Sequence, residues 1–504
     1  MKVLYYGWQR TNYPLLKKMQ ENYGWNPAVI AANNTEKEKA LRDFPKSTYI
    51  TIPELRFGNC DYSQLKKIPI GEEEYKKIGV NFVSYLNYFN KDTSGHNFST
   101  RQKIYFAKKI FDYWNTILSS IKIDCIVFST WPHTSTCYSL YLISKFVFKK
   151  KILFVDMVEH FNKFYHTVGY TLEDFSTPYL KYVNENHQIK DVDDYINNIK
   201  SNKTNSKNIK VDFLRSDTLR FRETMVRKYH VIRILINLII SIFKGGLFRS
   251  SNEEWKFNKK PFDKSNSVSI TRMVFFRLSV CIKTMFLKAF YKKNTSKINS
   301  KNYILFCAQY QPEAQTTQLN GYYQDVFAIL DLIYSSKDEN TDVYYKEHPA
   351  TLETISVYNS TLFRDKNYWK KLLSYKNLKL VDLKTKVSEC IDDSIAVATM
   401  NSTAGIESLI YGKPVLLFGK SWYSSCNGVF KIDNYEKCKN AMKEIKDGFK
   451  PDENKVKAYL NSVALSCDKD IKHDRIYKRS DVEDKEFIDK ISYLLHKKYK
   501  EYYQ

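Results

Sequence analysis

Short apolar runs recur along both ends of the chain, each set beside segments whose apolar residues return every three or four positions. In the first 200 residues the runs fall at 3–6, 124–129 and 151–155, with helical patterns over about 102–121 and 135–148 around them. The C-terminal half repeats the scheme, with runs at 303–307, 342–345, 378–381, 395–399 and 414–418 and helical patterns at 322–334, 386–391 and 406–411. Strands of about five apolar residues alternating with helices predict parallel βαβ units. The last three runs recur about every 18 residues, short enough for tight right-handed crossovers. The expected fold class is α/β, with two Rossmann-like, doubly wound domains.

A different pattern lies between them. Residues 234–243 are uncharged and flanked by Arg233 and Lys244. A bilayer-spanning helix needs about 20 such residues, so this run is too short to cross. Over 272–293, Arg272, Arg277, Lys283 and Lys288 fall on one half of a helical wheel. Val274, Phe275, Leu278, Cys281, Ile282, Met285 and Phe286 fill the other half. A basic face backed by an apolar one is the pattern of a helix lying in an anionic membrane interface. The competing reading is a pair of core helices whose charges face water.

Charge sharpens that choice. The 504 residues carry a formal net charge of +25, and residues 201–300 alone hold 22 Lys and Arg against 6 Asp and Glu, +16 of the total. The excess is local, so the expected partner is an anionic membrane surface. The segment has no RNP-like aromatic motif, zinc finger or helix-turn-helix, so nucleic acid is not expected. With 43% apolar and 15% aromatic residues the chain has ample core material, which excludes wholesale disorder. The nine cysteines are dispersed, with no CxxC, and read as reduced thiols of a cytoplasmic protein. The first residues, Met1 to Trp8, lack the long apolar core of a signal peptide and read as a first strand.

In open α/β sheets ligands bind beyond the carboxyl ends of the strands, at loops. Three such loops are polar. The first, Gln309 to Thr317, contains Gln311 and Glu313, whose amide and carboxylate suit neutral hydrogen bonding to a sugar or nucleoside. An ordinary helix-capping loop has the same composition. The second is Lys346-Glu347-His348-Pro349. A lysine and a histidine there can neutralise a departing phosphate, and Pro349 stiffens the backbone that aims the imidazole. The third, Asn401 to Glu407, joins small residues, two hydroxyls and a helix start, the makings of a phosphate site or of a capping motif. GxGxxG, Walker A, HExxH and GxSxG motifs are absent. Asp392-Asp393 reads as a helix stop; no metal and no other cofactor is expected.

Gln-Tyr-Gln-Pro-Glu-Ala (309–314), Lys-Glu-His-Pro (346–349), Asn-Ser-Thr-Ala-Gly-Ile-Glu-Ser-Leu (401–409) and Gly-Lys-Pro-Val (412–415), in this order, resemble bacterial capsule polysaccharide biosynthesis proteins, a group that includes Kdo-type glycosyltransferases. The resemblance is strongest over about 300–425, and Trp422 and Tyr423 fit the aromatic end of that region. It implies a GT-B fold, two domains facing a cleft; the basic, largely helical insert between them departs from that two-domain pattern. The implied organisation is an acceptor domain at 1–200, the insert at 201–300, a nucleotide-sugar donor domain at 301–480 and a C-terminal helix at 481–504. It implies donor binding by Gln311, Glu313, Lys346, His348, Pro349, Ser402, Thr403, Gly405 and Glu407. His348, Ser402 and Thr403 would meet the donor phosphate, and Glu407 its ribose.

In the N-terminal half Trp131-Pro132-His133 is similar to the family's Pro-His loop, and Asp156 and Glu159 follow the next apolar run. His133, Asp156 or Glu159 would be the catalytic base or nucleophile, unless the carboxylates only cap a helix and the imidazole only orients its loop. The implied function is transfer from a nucleotide-sugar donor, CMP-Kdo-like among others, to a glycan or lipid-linked glycan acceptor. The enzyme would be peripheral on the inner face of the cell membrane. A polyol-phosphate transferase of teichoic-acid type and a non-catalytic scaffold of the same fold are the alternatives.

Overall fold

A computed structural model describes the chain apart from residues 8–12, 34–36, 53–54, 56–57, 59, 64, 93–98, 133, 161–162, 170–175, 202–235, 237–238, 240–269, 312–319, 353–362 and 468–484. Two compact units emerge, one from residues 1–92, 98–192 and 460–504 and the other centred on residues 193–459. Each is built on a six-stranded sheet.

The first sheet comprises β1 (Lys2–Tyr6), β2 (Asn26–Ala32), β3 (Thr48–Thr51), β4 (Cys125–Phe128), β5 (Lys151–His160) and β6 (Lys163–Gly169), in the order β3-β2-β1-β4-β5-β6. Its first five strands are parallel and β6 runs antiparallel to β5. The second comprises β7 (Tyr303–Cys307), β8 (Asp342–Lys346), β9 (Leu378–Leu380), β10 (Ala396–Thr399), β11 (Val415–Leu417) and β12 (Val429–Lys431), ordered β12-β11-β10-β7-β8-β9. All of its pairs are parallel. Both orders are those of the doubly wound dinucleotide fold, as expected from the sequence. The strand order reverses between β1 and β4 and between β7 and β10, where such sheets open a ligand crevice. The central strands β4, β7, β10 and β11 are buried throughout, which is why they read as unbroken apolar runs.

One strand is longer than its apolar run. β5 was expected to end at Val155, with Asp156 and Glu159 in the loop beyond; instead both lie inside the strand, paired with Thr167 and Phe164 of β6. The ladder with β4 stops at Phe154. Beyond it β5 and β6 continue as a two-stranded antiparallel ribbon, which tolerates polar positions that a central strand does not.

Helices fill the remaining surfaces. The last, Lys485–Tyr503, packs Ile488, Ile491, Leu494 and Leu495 into the core of the first unit. Tyr503 both donates to the carbonyl of Ile152 and accepts from its N–H, each at 2.9 Å, which ties the helix to β5. Helix Ile270–Lys293 brings Leu287 and Tyr291 into the core of the second unit, and the Tyr291 hydroxyl donates to Val381 O at 2.6 Å.

The outward side of that helix differs from expectation. Cys281 was grouped with Ile282, Met285 and Phe286 on one apolar face. Cys281, Thr284, Leu287 and Tyr291 are the buried positions, whereas Ile282, Met285 and Phe286 are 43%, 53% and 73% exposed beside exposed Lys283 and Lys288. The aromatic anchor at Tyr291 sets the rotation, and the positions four, seven and ten residues back, Leu287, Thr284 and Cys281, follow it inward.

Candidate functional site

The loops after β7, β8 and β10 surround the switch point of the second sheet, and side-chain bonds join the strand ends there. The Gln309 amide donates to Asn401 Oδ1, and Asn401 Nδ2 donates to Lys420 O at 3.3 Å. Thr399 Oγ1 donates to Cys307 O at 3.2 Å and accepts from the Ser402 N–H at 3.2 Å. Gln309 Oε1 is buried without a partner among the described residues. An unsatisfied carbonyl at a crevice is costly unless water or a ligand meets it.

Beneath the second loop lies a buried ion pair. Arg364 Nε donates to Glu347 Oε2 at 2.9 Å, with both side chains almost wholly excluded from water. The same carboxylate accepts from Tyr345 (3.1 Å), Thr351 (3.1 Å) and the His348 N–H (2.8 Å). Arg364 Nη1 donates to Gln311 Oε1 at 2.7 Å, and Gln311 Nε2 donates to Gln324 O at 2.7 Å. Gln311 is therefore a strut between two loops, with both ends of its amide engaged.

His348 stands exposed above this base, and so does Pro349. Its Nδ1 accepts from the Ala350 N–H at 3.2 Å, which leaves Nε2 to carry the proton of the neutral ring. Lys346 is 4% exposed and its ammonium donates to Leu383 O at 3.0 Å; burial lowers its pKa. Lys346 thus contributes charge from inside the strand end rather than a free ammonium.

In the third loop the two hydroxyls divide. Ser402 is the N-cap of helix Thr403–Ile410, its Oγ accepting from the Ala404 N–H at 3.2 Å. Thr403 is exposed and has no partner among the described residues. Gly405 packs against Tyr423. A Cβ there would collide with the Tyr423 hydroxyl and lie 2.7 Å from Tyr423 Cζ, while that hydroxyl donates to Ser402 O at 2.5 Å. Tyr423 is fully buried and clamps the helix start.

Glu407 sits in the second turn, not the first, so it forms no capping box with Ser402. Desolvation raises its carboxyl pKa from 4.5 to about 7. Its charge acts on the phenols of Tyr195, Tyr411 and Tyr423, and the Tyr411 hydroxyl donates to Ile199 O at 2.6 Å, fastening helix Lys190–Ser201 nearby. A carboxyl that is half protonated near neutrality can both donate to and accept from a hydroxyl.

The other sequence candidates fall elsewhere. Glu313, His133, Arg233 and Lys244 lie outside the described residues, and Asp156 and Glu159 are in β5. Arg272 and Arg277 belong to helix Ile270–Lys293, as do Lys283 and Lys288. Arg364 was missed: it lies 17 residues beyond Glu347 in an ordinary polar stretch, and only the fold pairs them.

Residues 275–466 match the family described as capsule polysaccharide biosynthesis protein. Among solved structures the chain is 9% identical to a β-Kdo 2,4-transferase of Thermosulfurimonas dismutans, over 67% of this chain and 79% of that one, with a TM-score of 0.31. It is 12% identical to a UDP-GlcNAc 2-epimerase of Methanocaldococcus jannaschii, over 92% and 100%, with a TM-score of 0.24. An Anabaena protein in complex with UDP-glucose matches at 9% over 99% and 100%, with a TM-score of 0.24. No curated protein sequence matches the chain.

Two substitutions test this geometry. Gly405→Ala forces Tyr423 aside and is expected to cost about 1–3 kcal/mol, read as a lower melting temperature; an unchanged melt refutes the clamp. Glu407 ionises at lower pH in the unfolded chain than in the folded one, so stability falls as pH rises from 4.5 to about 7 and the penalty is constant above. Glu407→Gln removes that slope and is expected to be the more stable protein above pH 7, by at most about 3 kcal/mol. Parallel stability-against-pH curves for the two proteins contradict it.

Proposed function

We propose that this chain, which carries the capsule polysaccharide biosynthesis region over residues 275–466, is a glycosyltransferase. It takes a sugar from a nucleotide-sugar donor, of CMP-Kdo type among others, and adds it to a growing surface glycan. One observation carries the reading: an exposed imidazole with its Nδ1 occupied by Ala350 N–H and an exposed, unpartnered Thr403 at a helix start belong to loops of one sheet's switch point.

Breaking the bond between the anomeric carbon and the phosphate oxygen leaves negative charge on the nucleotide. The His348 Nε2–H and the positive end of helix Thr403–Ile410, with the Thr403 hydroxyl and amide, meet that charge. Lys346 adds positive potential from within the strand end. Glu407 binds the ribose hydroxyls from the second turn of the helix. The acceptor belongs to the N-terminal unit, where His133, Asp156 or Glu159 takes the proton of the attacking hydroxyl or forms the covalent intermediate.

The acceptor is lipid-linked in this reading, and helix Ile270–Lys293 holds the enzyme on the inner face of the membrane. Exposed Ile282, Met285 and Phe286 enter the lipid interface while Lys283 and Lys288 meet anionic headgroups. Among the described residues no helix is long and apolar enough to cross a membrane.

A thermal-shift screen of CMP-, UDP-, GDP- and CDP-linked donors is expected to find one class that raises the melting temperature. Stabilisation by CDP-glycerol or CDP-ribitol alone points to polyol-phosphate transfer, and by no nucleotide to a scaffold. With the active donor, His348→Ala is expected to slow transfer about 10²–10³-fold, and Thr403→Ala to weaken donor binding at unchanged stability. Wild-type rates in His348→Ala refute the site. For the membrane, Lys283→Glu with Lys288→Glu is expected to weaken sedimentation with phosphatidylglycerol vesicles by at least about tenfold; undiminished sedimentation refutes the lipid contact.

A further inference from the structure

A concave site lies at the amino end of the first sheet. It is a cavity of about 610 Å³ bordered by the residues just before or at the starts of β1, β4 and β5 and by the last helix, a size within the roughly 300–1,000 Å³ of small-ligand sites. None of the candidate residues discussed above lines it.

The cavity is lined by aromatic rings and by lysines. Tyr23 and His496 are stacked at 4.1 Å between ring centroids, and Trp25 meets Tyr499 edge-on at 5.3 Å. Lys149, Lys150 and Lys151 stand in succession at its mouth. The Lys151 ammonium is engaged, donating to the Tyr499 hydroxyl at 3.0 Å and lying 4.9 Å from that ring's centroid. Lys149 is exposed, Lys150 is half-buried, and neither has a side-chain partner among the described residues. The lining carboxylate of Asp124 is occupied by the Lys2 N–H at 2.8 Å.

The lysine turn is not a relaxed one. Residues Ile143–Val147 form a π-helical turn, an arrangement found often at functional sites. Lys149 then takes φ = 49°, the left-handed region that a side chain other than Gly or Asn enters at a cost. Phe148 N–H bonds Ile143 O at 3.1 Å and Lys150 N–H bonds Ser144 O at 2.8 Å, so the turn is held rather than loose.

We infer that this cavity binds an acidic saccharide, a sugar ring carrying a carboxylate or a phosphate. Lys149 and Lys150 take the anion, and the aromatic walls cover the apolar face of the ring. A nucleotide fits less well, since its base needs a slot between rings, and Tyr23 and His496 are already closed on each other. The inference does not depend on the transfer reaction proposed for the second sheet.

Binding is measured by calorimetry on the full chain with four probes: tetragalacturonic acid, neutral galactotetraose, glucose 6-phosphate and inorganic phosphate. The two acidic saccharides are expected to bind at least tenfold tighter than galactotetraose and than phosphate. Lys149→Gly with Lys150→Ala removes both charges and relieves the positive φ, so the fold is kept; acidic-saccharide binding is expected to fall at least tenfold. Donor-induced stabilisation of the second unit is recorded in the same variant and is expected to stay, which separates this site from that one. Equal affinity for the neutral tetramer, tightest binding of bare phosphate, CMP or UMP displacing the saccharides, or undiminished affinity in the lysine variant each overturns the inference.

Discussion

The buried ion pair between Glu347 and Arg364 is the constraint on which the second sheet's loops depend. Two charges removed from water are tolerable only when every remaining donor and acceptor is met. Here Glu347 also accepts from Tyr345, Thr351 and the His348 amide, and Arg364 also reaches Gln311. Those bonds run to three separate segments: the end of β8, the loop after β7 and the approach to helix Lys366–Leu373. Loss of one partner would strand the other charge at a cost of about 3–5 kcal/mol. The network gains position more than stability: it fixes the His348 backbone directly above a rigid base, while the imidazole itself stays exposed.

Positioning of that kind explains why the motif residues divide into buried supports and exposed groups. Within Lys-Glu-His-Pro, Glu347 and Lys346 are turned inward and His348 outward. Within the Asn-Ser-Thr-Ala-Gly stretch, Asn401 ties β10 to the segment after β11, Ser402 caps, Gly405 admits Tyr423, and Thr403 alone faces solvent. Each short motif therefore holds one exposed polar group, His348 in the first and Thr403 in the second, on buried neighbours.

The sequence pattern revealed the central strands because burial on both faces demands unbroken apolar runs. It did not reveal β2, β3 or β12. Asn26–Ala32 begins with Asn-Pro and carries three alanines, and β3 and β12 are short and partly exposed edges. The site was legible in its loops, since strand-end position follows from strand assignment. Its supports were not. Arg364 has no local signature, and the role of Gly405 is decided by Tyr423, 18 residues further on. Such partnerships are made by the tertiary fold. The β5–β6 ribbon was missed for the converse reason: once the ladder between β5 and β4 stops at Phe154, the unbroken apolar run ends and the strand no longer looks like one.

The excess charge was legible as a local property, but the geometry of helix Ile270–Lys293 changes its meaning. In water a helix gains most by burying its largest apolar groups. This one buries Cys281, Thr284, Leu287 and Tyr291 and leaves Ile282, Met285 and Phe286 outside. Tyr291 and Leu287 dictate that rotation, because they complete the core beside Trp369. The outward apolar residues are thus a consequence of how the helix is anchored, and their exposure is a standing cost in water. Lys283 and Lys288 share that outward surface, so the exposed face is at once apolar and basic. Since the match to the capsule biosynthesis family begins at Phe275, inside this helix, the anchor and the loops of the second sheet belong to one region of the chain.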